Sequence, residues 1–385
     1  MDKLILPAIA NSHSHAFQRA MAGLTEYRSA TQDSFWTWRD LMYRFASQIN
    51  PEQLYAIAAH LYGEMLEAGY THVCEFHYLH HQANGMPYDN PAEMSQAIIR
   101  AAEDAGIGLT LLPVLYQTGG FDGRDLNETQ MRFAHSTEKY LELISLLKKQ
   151  ESHLLKIGVA LHSLRAVPEH SLKSLLPEIS KMDLPIHIHI AEQKAEVDEC
   201  LELRGIRPVQ WLLDNADVNE HWCLVHATHM NAMEIKAVAK SNAVVSICTS
   251  TEANLGDGLF PLKDYNKHKG NWAIGSDSNS SVSVVEELRW LEYGQRLKYQ
   301  QRHIASTKTQ SHVGQFLFDK ALAGGWQASG VEQREDYMVL NKETPALFAA
   351  KQDNLADCFI FAGNRNLISE VSAFGTLRVS EGKHM

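Results

Sequence analysis

Between residues 4 and 276 the sequence alternates short apolar runs with segments of helical spacing, eight times over. The runs fall at 4–11, 70–76, 108–114, 156–162, 184–190, 222–226, 243–248 and 272–276. Each is the length of a strand, and helical patterns separate most of them. Asn50-Pro51 sets one helix start, Leu54, Ile57, Ala58, Leu61 and Met65 continue it at helical spacing, and Gly69 ends it. Another helix ends near Gly106, and 169–180 and 231–240 read as two more. Eight strands with intervening helices in about 280 residues favour a closed (β/α)8 barrel of the TIM type over an open doubly wound sheet. No G-x-G-x-x-G or G-x-x-x-x-G-K-[ST] phosphate loop follows any strand, which removes the usual nucleotide-binding alternatives. After the eighth strand, helices over about 283–328 lead to β-like runs at 358–362 and 372–379. The expected division is a barrel over 1–335 and a C-terminal β segment over 336–385 that packs on it.

Charge and cysteine usage narrow the setting. Lys+Arg number 35 against 46 Asp+Glu, a net charge of −11, which argues against nucleic acid or an anionic membrane as partner. No stretch approaches the ~18 uncharged apolar residues of a membrane span. Lys3, the apolar run 4–10 and Ala8-Ile9-Ala10 imitate a signal peptide, but Pro7 interrupts the run and Asp2 offsets the charge, so a buried strand is expected there. Cys74, Cys200, Cys223, Cys248 and Cys358 form no C-x-x-C pair and read as reduced, mostly buried thiols of a cytoplasmic protein.

Twenty histidines are many for this length, and the informative ones sit at strand ends. His13 and His15, two apart, turn to one face after the first strand. His187 and His189 share one face of strand five, with Ile186, Ile188 and Ile190 on the other. His189 is nearer the C-terminal mouth, where barrel sites are built, and His187 is expected to be a hydrogen-bonded residue one layer down. His226 ends strand six, and Asp277 follows strand eight, where Gly275 lets backbones approach. Three imidazoles and a carboxylate at one mouth suit one zinc or a similar divalent ion, with water completing its coordination.

This arrangement, H-x-H on strand one, histidines on strands five and six and an aspartate on strand eight, resembles the amidohydrolase superfamily. Two-metal members use a lysine at the C-terminal end of strand four. Here the only lysine in that strand is Lys156, at the opposite end, so a single-metal site is expected. The resemblance then implies His13, His15, His189 and Asp277 as ligands, with His226 beside the metal water. Glu192, three residues past His189, matches the proton shuttle of single-metal deaminases. A bound metal lowers the pKa of water from 15.7 to about 7. His226 and Asp277 would accept or orient its proton, and Glu192 would protonate the departing nitrogen, releasing ammonia.

Among the single-metal deaminases, four stretches narrow the resemblance: 11–23 (NSHSHAFQRAMAG), 75–81 (EFHYLHH), 162–167 (HSLRAV) and 251–258 (TEANLGDG). They are similar to the deiminases of bacterial histidine degradation, which convert N-formimino-L-glutamate to N-formyl-L-glutamate and ammonia. The resemblance implies Gln18, Arg39, Tyr78, His162 and Arg165 around a small dicarboxylate substrate, and a homodimer. Guanidinium forks suit two carboxylates. Arg165 lies in the loop after strand four, while Arg39 lies in the aromatic segment 35–39, where stacking is a competing role. The alternatives are a deaminase of an amino-substituted purine or pyrimidine on the same single-metal site, and a catalytically silent scaffold. Only ten residues precede Asn11, so the β-sandwich that accompanies such barrels is expected to be partial. Cys248-Thr249-Ser250 also lacks the proline that the resemblance leads one to expect after that cysteine.

Overall fold

The computed structural model describes residues 3–27, 35–363 and 367–385. The first apolar run is two strands rather than one. β1 (Leu4–Pro7) and β2 (Ile9–Ser14) part at Ala8, and only β2 belongs to the barrel. The remaining barrel strands are β3 (Tyr70–His77), β4 (Gly108–Leu115), β5 (Leu155–Ile157) with β6 (Val159–Ser163), β7 (Ile186–Ile190), β8 (Trp222–His226), β9 (Val244–Ile247) and β10 (Asn271–Ile274). Parallel pairing runs β2-β3-β4-β6-β7-β8-β9-β10, and β5 pairs with the lower part of β4. The fourth strand breaks at Gly158, where a Cβ would stand 2.6 Å from a Leu112 methyl carbon and 2.9 Å from the Pro185 ring.

The barrel closes at its C-terminal mouth. Ser14 and Asp277 bridge in parallel, with His15 N–H donating to the Asp277 carbonyl and Asp277 N–H to the His13 carbonyl, both at 3.0 Å. Just inside, the Asn11 amide donates to Ser276 Oγ at 2.7 Å and accepts the Ser276 N–H at 3.0 Å. Every residue of β2, β3 and β4 is buried, because helices cover the outer face and side-chain layers fill the interior. The helix Pro51–Glu67 starts as its sequence predicts, with an Asn50/Gln53 capping box and proline in the first turn.

The C-terminal region has the expected helices after 283 and departs from expectation in two places. The run at 358–362 lies in a helix, Leu355–Ala362, packed against Val284–Tyr299 and Val313–Ser329. A five-residue apolar run carries no period that distinguishes strand from helix, and here packing decides. The helical stretch from 283 is those two helices, separated by a loop. The run at 372–379 is a hairpin: β12 (Ile368–Ala373) turns through Phe374 and Gly375, both at positive φ, into β13 (Thr376–Ser380). With β11 (Tyr337–Leu340) and β14 (Lys383–His384) they form one antiparallel sheet of order β1-β11-β12-β13-β14, so the N-terminal strand is its edge. This sheet is the small β unit that accompanies the barrel. All five cysteines are free, four of them buried and Cys358 half-buried.

Candidate active site

Four side chains from three places in the barrel converge at the mouth. His13 Nε2 is 3.2 Å from His15 Nε2 and 3.0 Å from His189 Nε2. Asp277 Oδ1 is 3.6 Å from His13 Nε2 and 3.4 Å from His15 Nε2. Second partners fix the rings: His15 Nδ1–H donates to the Phe76 carbonyl at 2.9 Å, and His189 Nδ1–H to the His162 carbonyl at 3.0 Å. With the proton on Nδ1, each presents an Nε2 lone pair toward the same point. Burial, joined by the neighbouring imidazoles for His13 and His189, pushes the pKa of all three down, that of His15 to about 3. Neutral, buried nitrogen lone pairs this close repel unless a cation lies between them, and such carbonyl-anchored imidazoles are what a divalent ion takes as ligands. The residues fit one such ion. Gly275 makes room as expected: a Cβ there would lie 2.8 Å from His13 Cβ.

Next to this cluster stands His226, with three carboxylates around its ring. His226 ends β8 at φ 68° and is fully buried. Its Nδ1 is 3.3 Å from Glu252 Oε1, which leaves Nε2 facing Asp277 Oδ2 at 3.6 Å and Glu192 Oε1 at 3.7 Å. Burial opposes a charge on His226, but Glu192, the bond to Glu252 and Asp277 outweigh it and push the pKa up to about 10. Burial raises Glu192 to about 7, with Asp277 and Glu196 adding to it and His226 and Arg165 opposing. Glu196 props the turn that carries Glu192 by accepting the N–H groups of Ala191 at 3.1 Å and Glu192 at 3.0 Å. His187 lies below, its Nε2–H donating to the Ala328 carbonyl at 2.8 Å. Lys156 sits on β5 at the far end of the barrel, 3.9 Å from Glu151.

All five residues expected around a substrate line one cleft over this mouth, together with Glu192, His226 and Asp277. Gln18 donates to Tyr78 Oη at 2.9 Å, and the Tyr78 ring stands 5.1 Å from that of His15. Arg165 is buried, and Thr118 Oγ1 donates to its carbonyl at 3.0 Å. Arg39, on the helix Phe35–Ala46, lies over the Tyr43 ring at 5.5 Å. A profile of the Amidohydrolase family matches residues 4–309. The chain belongs to that family. Formimidoylglutamate deiminase of Pseudomonas aeruginosa is 50% identical over 99% of this chain and 85% of its own length. A crystal structure of an amidohydrolase from Brucella melitensis superposes with a TM-score of 0.94 at 45% identity, covering 99% of this chain and 86% of that one. A zinc-bound adenosine deaminase from Xanthomonas campestris shares the fold at 19% identity, with a TM-score of 0.81 over 100% of this chain and 82% of its own. This amidohydrolase is therefore a hydrolase acting on C–N bonds.

Sequence reasoning missed three parts of this amidohydrolase's site. Glu252 lies in the first turn of the helix Thr249–Leu255, where an acid is an ordinary partner of the helix dipole, yet its carboxylate holds both His226 Nδ1 and the Cys248 N–H, the latter at 3.0 Å. Tyr43 lines the cleft from the helix Phe35–Ala46, in which only Arg39 was singled out. Cys248 brings its thiol close to His226 and Asp277, but burial first, with Asp277 and Glu252 adding to it, raises its pKa well above the usual range.

Proposed function

We propose that this amidohydrolase converts N-formimino-L-glutamate and water to N-formyl-L-glutamate and ammonia, with one zinc ion, in cytoplasmic histidine degradation. The observation that carries the reading is that two arginines line one cleft together with His15, His189 and Asp277, which lie beside His13 around one point. The substrate has two carboxylates, which pair with guanidinium groups, and a formimino carbon to be hydrolysed. An aminopurine offers the arginines no carboxylate. The 50% identity with the Pseudomonas deiminase supports the same substrate.

His13, His15, His189 and Asp277 would hold the zinc, which supplies Lewis acidity and lowers the pKa of water to about 7. His226, aimed by Glu252 and held protonated by the carboxylates around it, orients the attacking water through its Nε2–H, and Asp277 accepts that water's proton. Glu192, whose carboxyl titrates at about 7 because it is buried, holds a proton near neutrality and delivers it to the departing nitrogen. Arg39, Arg165, His162, Tyr78 and Gln18 bind and orient the diacid.

The test is ammonia release from N-formimino-L-glutamate and from a panel of aminopurines and aminopyrimidines, with metal analysis on the same sample. Turnover of the diacid by zinc-loaded enzyme is expected. A zinc-loaded preparation that deaminates a heterocycle and leaves the diacid untouched would replace the reading with the heterocycle one.

A further inference from the structure

Behind the arginines runs a chain of hydrogen bonds that the mechanism above does not use. Tyr43 and Tyr116 are both buried, and their hydroxyl oxygens are 3.2 Å apart. Gln130 donates its Nε2–H to Tyr116 Oη at 2.8 Å, and Arg165 is hydrogen-bonded to the same oxygen. A phenol oxygen accepts two hydrogen bonds and donates one. With Gln130 and Arg165 as donors, both acceptor positions of Tyr116 are filled, so its own proton goes to Tyr43 Oη. Tyr43 is then an acceptor on that side, and its own O–H is left to donate. Tyr43 lines the cleft alongside Arg39 and Arg165. Burial, with Tyr116 beside it, holds its pKa well above the usual phenol value, so it keeps that proton.

The surrounding backbone fixes this chain in place. The segment after β4 is zipped to the Arg165 loop by Gln117 N–H and Thr118 N–H, which donate to the Ala166 carbonyl at 2.8 and 3.1 Å. The end of the helix that carries Arg39 and Tyr43 is pinned by buried Arg132, which donates to the Ala46 carbonyl and, at 3.0 Å, to the Ile49 carbonyl.

We propose that Tyr43 is a substrate-binding residue whose hydroxyl donates to one carboxylate of the diacid beside Arg39 and Arg165, and that Tyr116 is the positioning residue that sets the direction of that bond. The inference rests on the dicarboxylate reading. It adds a neutral donor that recognises one particular carboxylate, which arginines alone do not distinguish from the other.

The test compares kcat and KM for wild type, Tyr43→Phe and Tyr116→Phe on three substrates. These are N-formimino-L-glutamate, N-formimino-L-norvaline, which lacks the side-chain carboxylate, and 4-(formimidoylamino)butyrate, which lacks the α-carboxylate. Tyr43→Phe is expected to lower kcat/KM for the diacid about tenfold, carried mainly by KM, as befits one hydrogen bond to a charged group. The same loss is expected on the analogue that keeps the carboxylate bound by Tyr43, and less than a twofold change on the one that lacks it. Tyr116→Phe should show the same selectivity more weakly, and it carries the test if Tyr43→Phe does not fold. Equal losses on all three substrates, or none, overturn the inference alone. Wild-type enzyme with no activity on the diacid overturns the dicarboxylate reading and this inference with it.

Discussion

Glu252 and Glu192 flank His226 and divide its two nitrogens between them, one carboxylate fixing the ring and the other facing the reaction. Glu252 touches Nδ1 and the Cys248 N–H, so its role is orientation. Changing it to glutamine keeps an acceptor but removes the charge, and turnover is expected to fall about 10- to 100-fold with zinc content unchanged, measured as kcat alongside metal stoichiometry. Loss of zinc in step with activity would place Glu252 in metal retention instead. Glu192→Gln should also retain zinc while turnover falls about 10²- to 10⁴-fold, the usual worth of a positioned proton donor. Turnover within a factor of two of wild type would remove Glu192 from the mechanism. Glu192 was legible in the sequence because it follows a strand-end histidine at a fixed spacing. Glu252 was not, because its partner is 26 residues away and only the fold brings them together.

The strand ends carry a conformational burden that no single side chain reveals. Ala191, His226, Ala227, Asp277 and Asn279 all have φ between 48° and 68°, after β7, β8 and β10. Non-glycine residues there cost on the order of 1 kcal/mol each, and surrounding contacts must hold them. Glu196, Glu252 and the Asn279 amide, which donates to the carbonyls of His15 and Asp277 at 3.1 and 2.9 Å, are those contacts. A related brace joins β3 to the helix Ala16–Met21: Glu75 Oε1 accepts the Ala16 N–H at 2.6 Å. Burial raises Glu75 to about 8 despite the bonds from Ala16, Ser14 and Tyr62, which pull it down. A carboxyl held above its unfolded value of about 4.5 binds its proton more tightly in the folded state. Its stabilising contribution is thus complete below about pH 4.5 and is lost as pH rises toward 8. With zinc saturating, wild type should lose up to about 2 kcal/mol relative to Glu75→Gln between pH 5.5 and 7.5, read from thermal melts. Parallel curves would show that Glu75 titrates normally. The barrel strands were readable because each is a short buried run between helical segments, and β2, β6, β7 and β8 carry histidines toward their C-terminal ends. The run at 358–362 was misread because local pattern cannot choose between strand and helix, and the break at Ala8 was missed because the apolar run 4–10 continues from β1 into the start of β2, although the two strands belong to different sheets.

At the scale of the whole molecule, the four residues proposed as metal ligands also lie at the barrel's seam. His13 and His15 come from β2 and the residue after it, His189 from β7, and Asp277 from just past β10. Across the closure between the first and last strands, His15 N–H donates to the Asp277 carbonyl and Asp277 N–H to the His13 carbonyl. A cation at this point therefore ties β2, β7 and the 271–279 segment together, and without it the Nε2 lone pairs of His13, His15 and His189 confront one another at 3.0 to 3.2 Å. An unfolded chain has no such site, so binding adds to folding stability by mass action, about 4 kcal/mol when free metal exceeds its dissociation constant a thousandfold. Removing the metal by chelation should lower the melting temperature by about 5 °C or more and speed hydrogen exchange in β2, β7 and residues 271–279. The sheet formed by β1 and β11 to β14 contributes no ligand, and its exchange should stay unchanged. Zinc should restore the barrel and magnesium should not, because imidazoles select the softer ion. If a preparation verified as metal-free melts and exchanges like the loaded one, these four side chains do not meet at an ion, and the closure of the barrel rests on the hydrogen bonds that Asn11, Ser12, Ser14, His15 and Asn279 make across the seam.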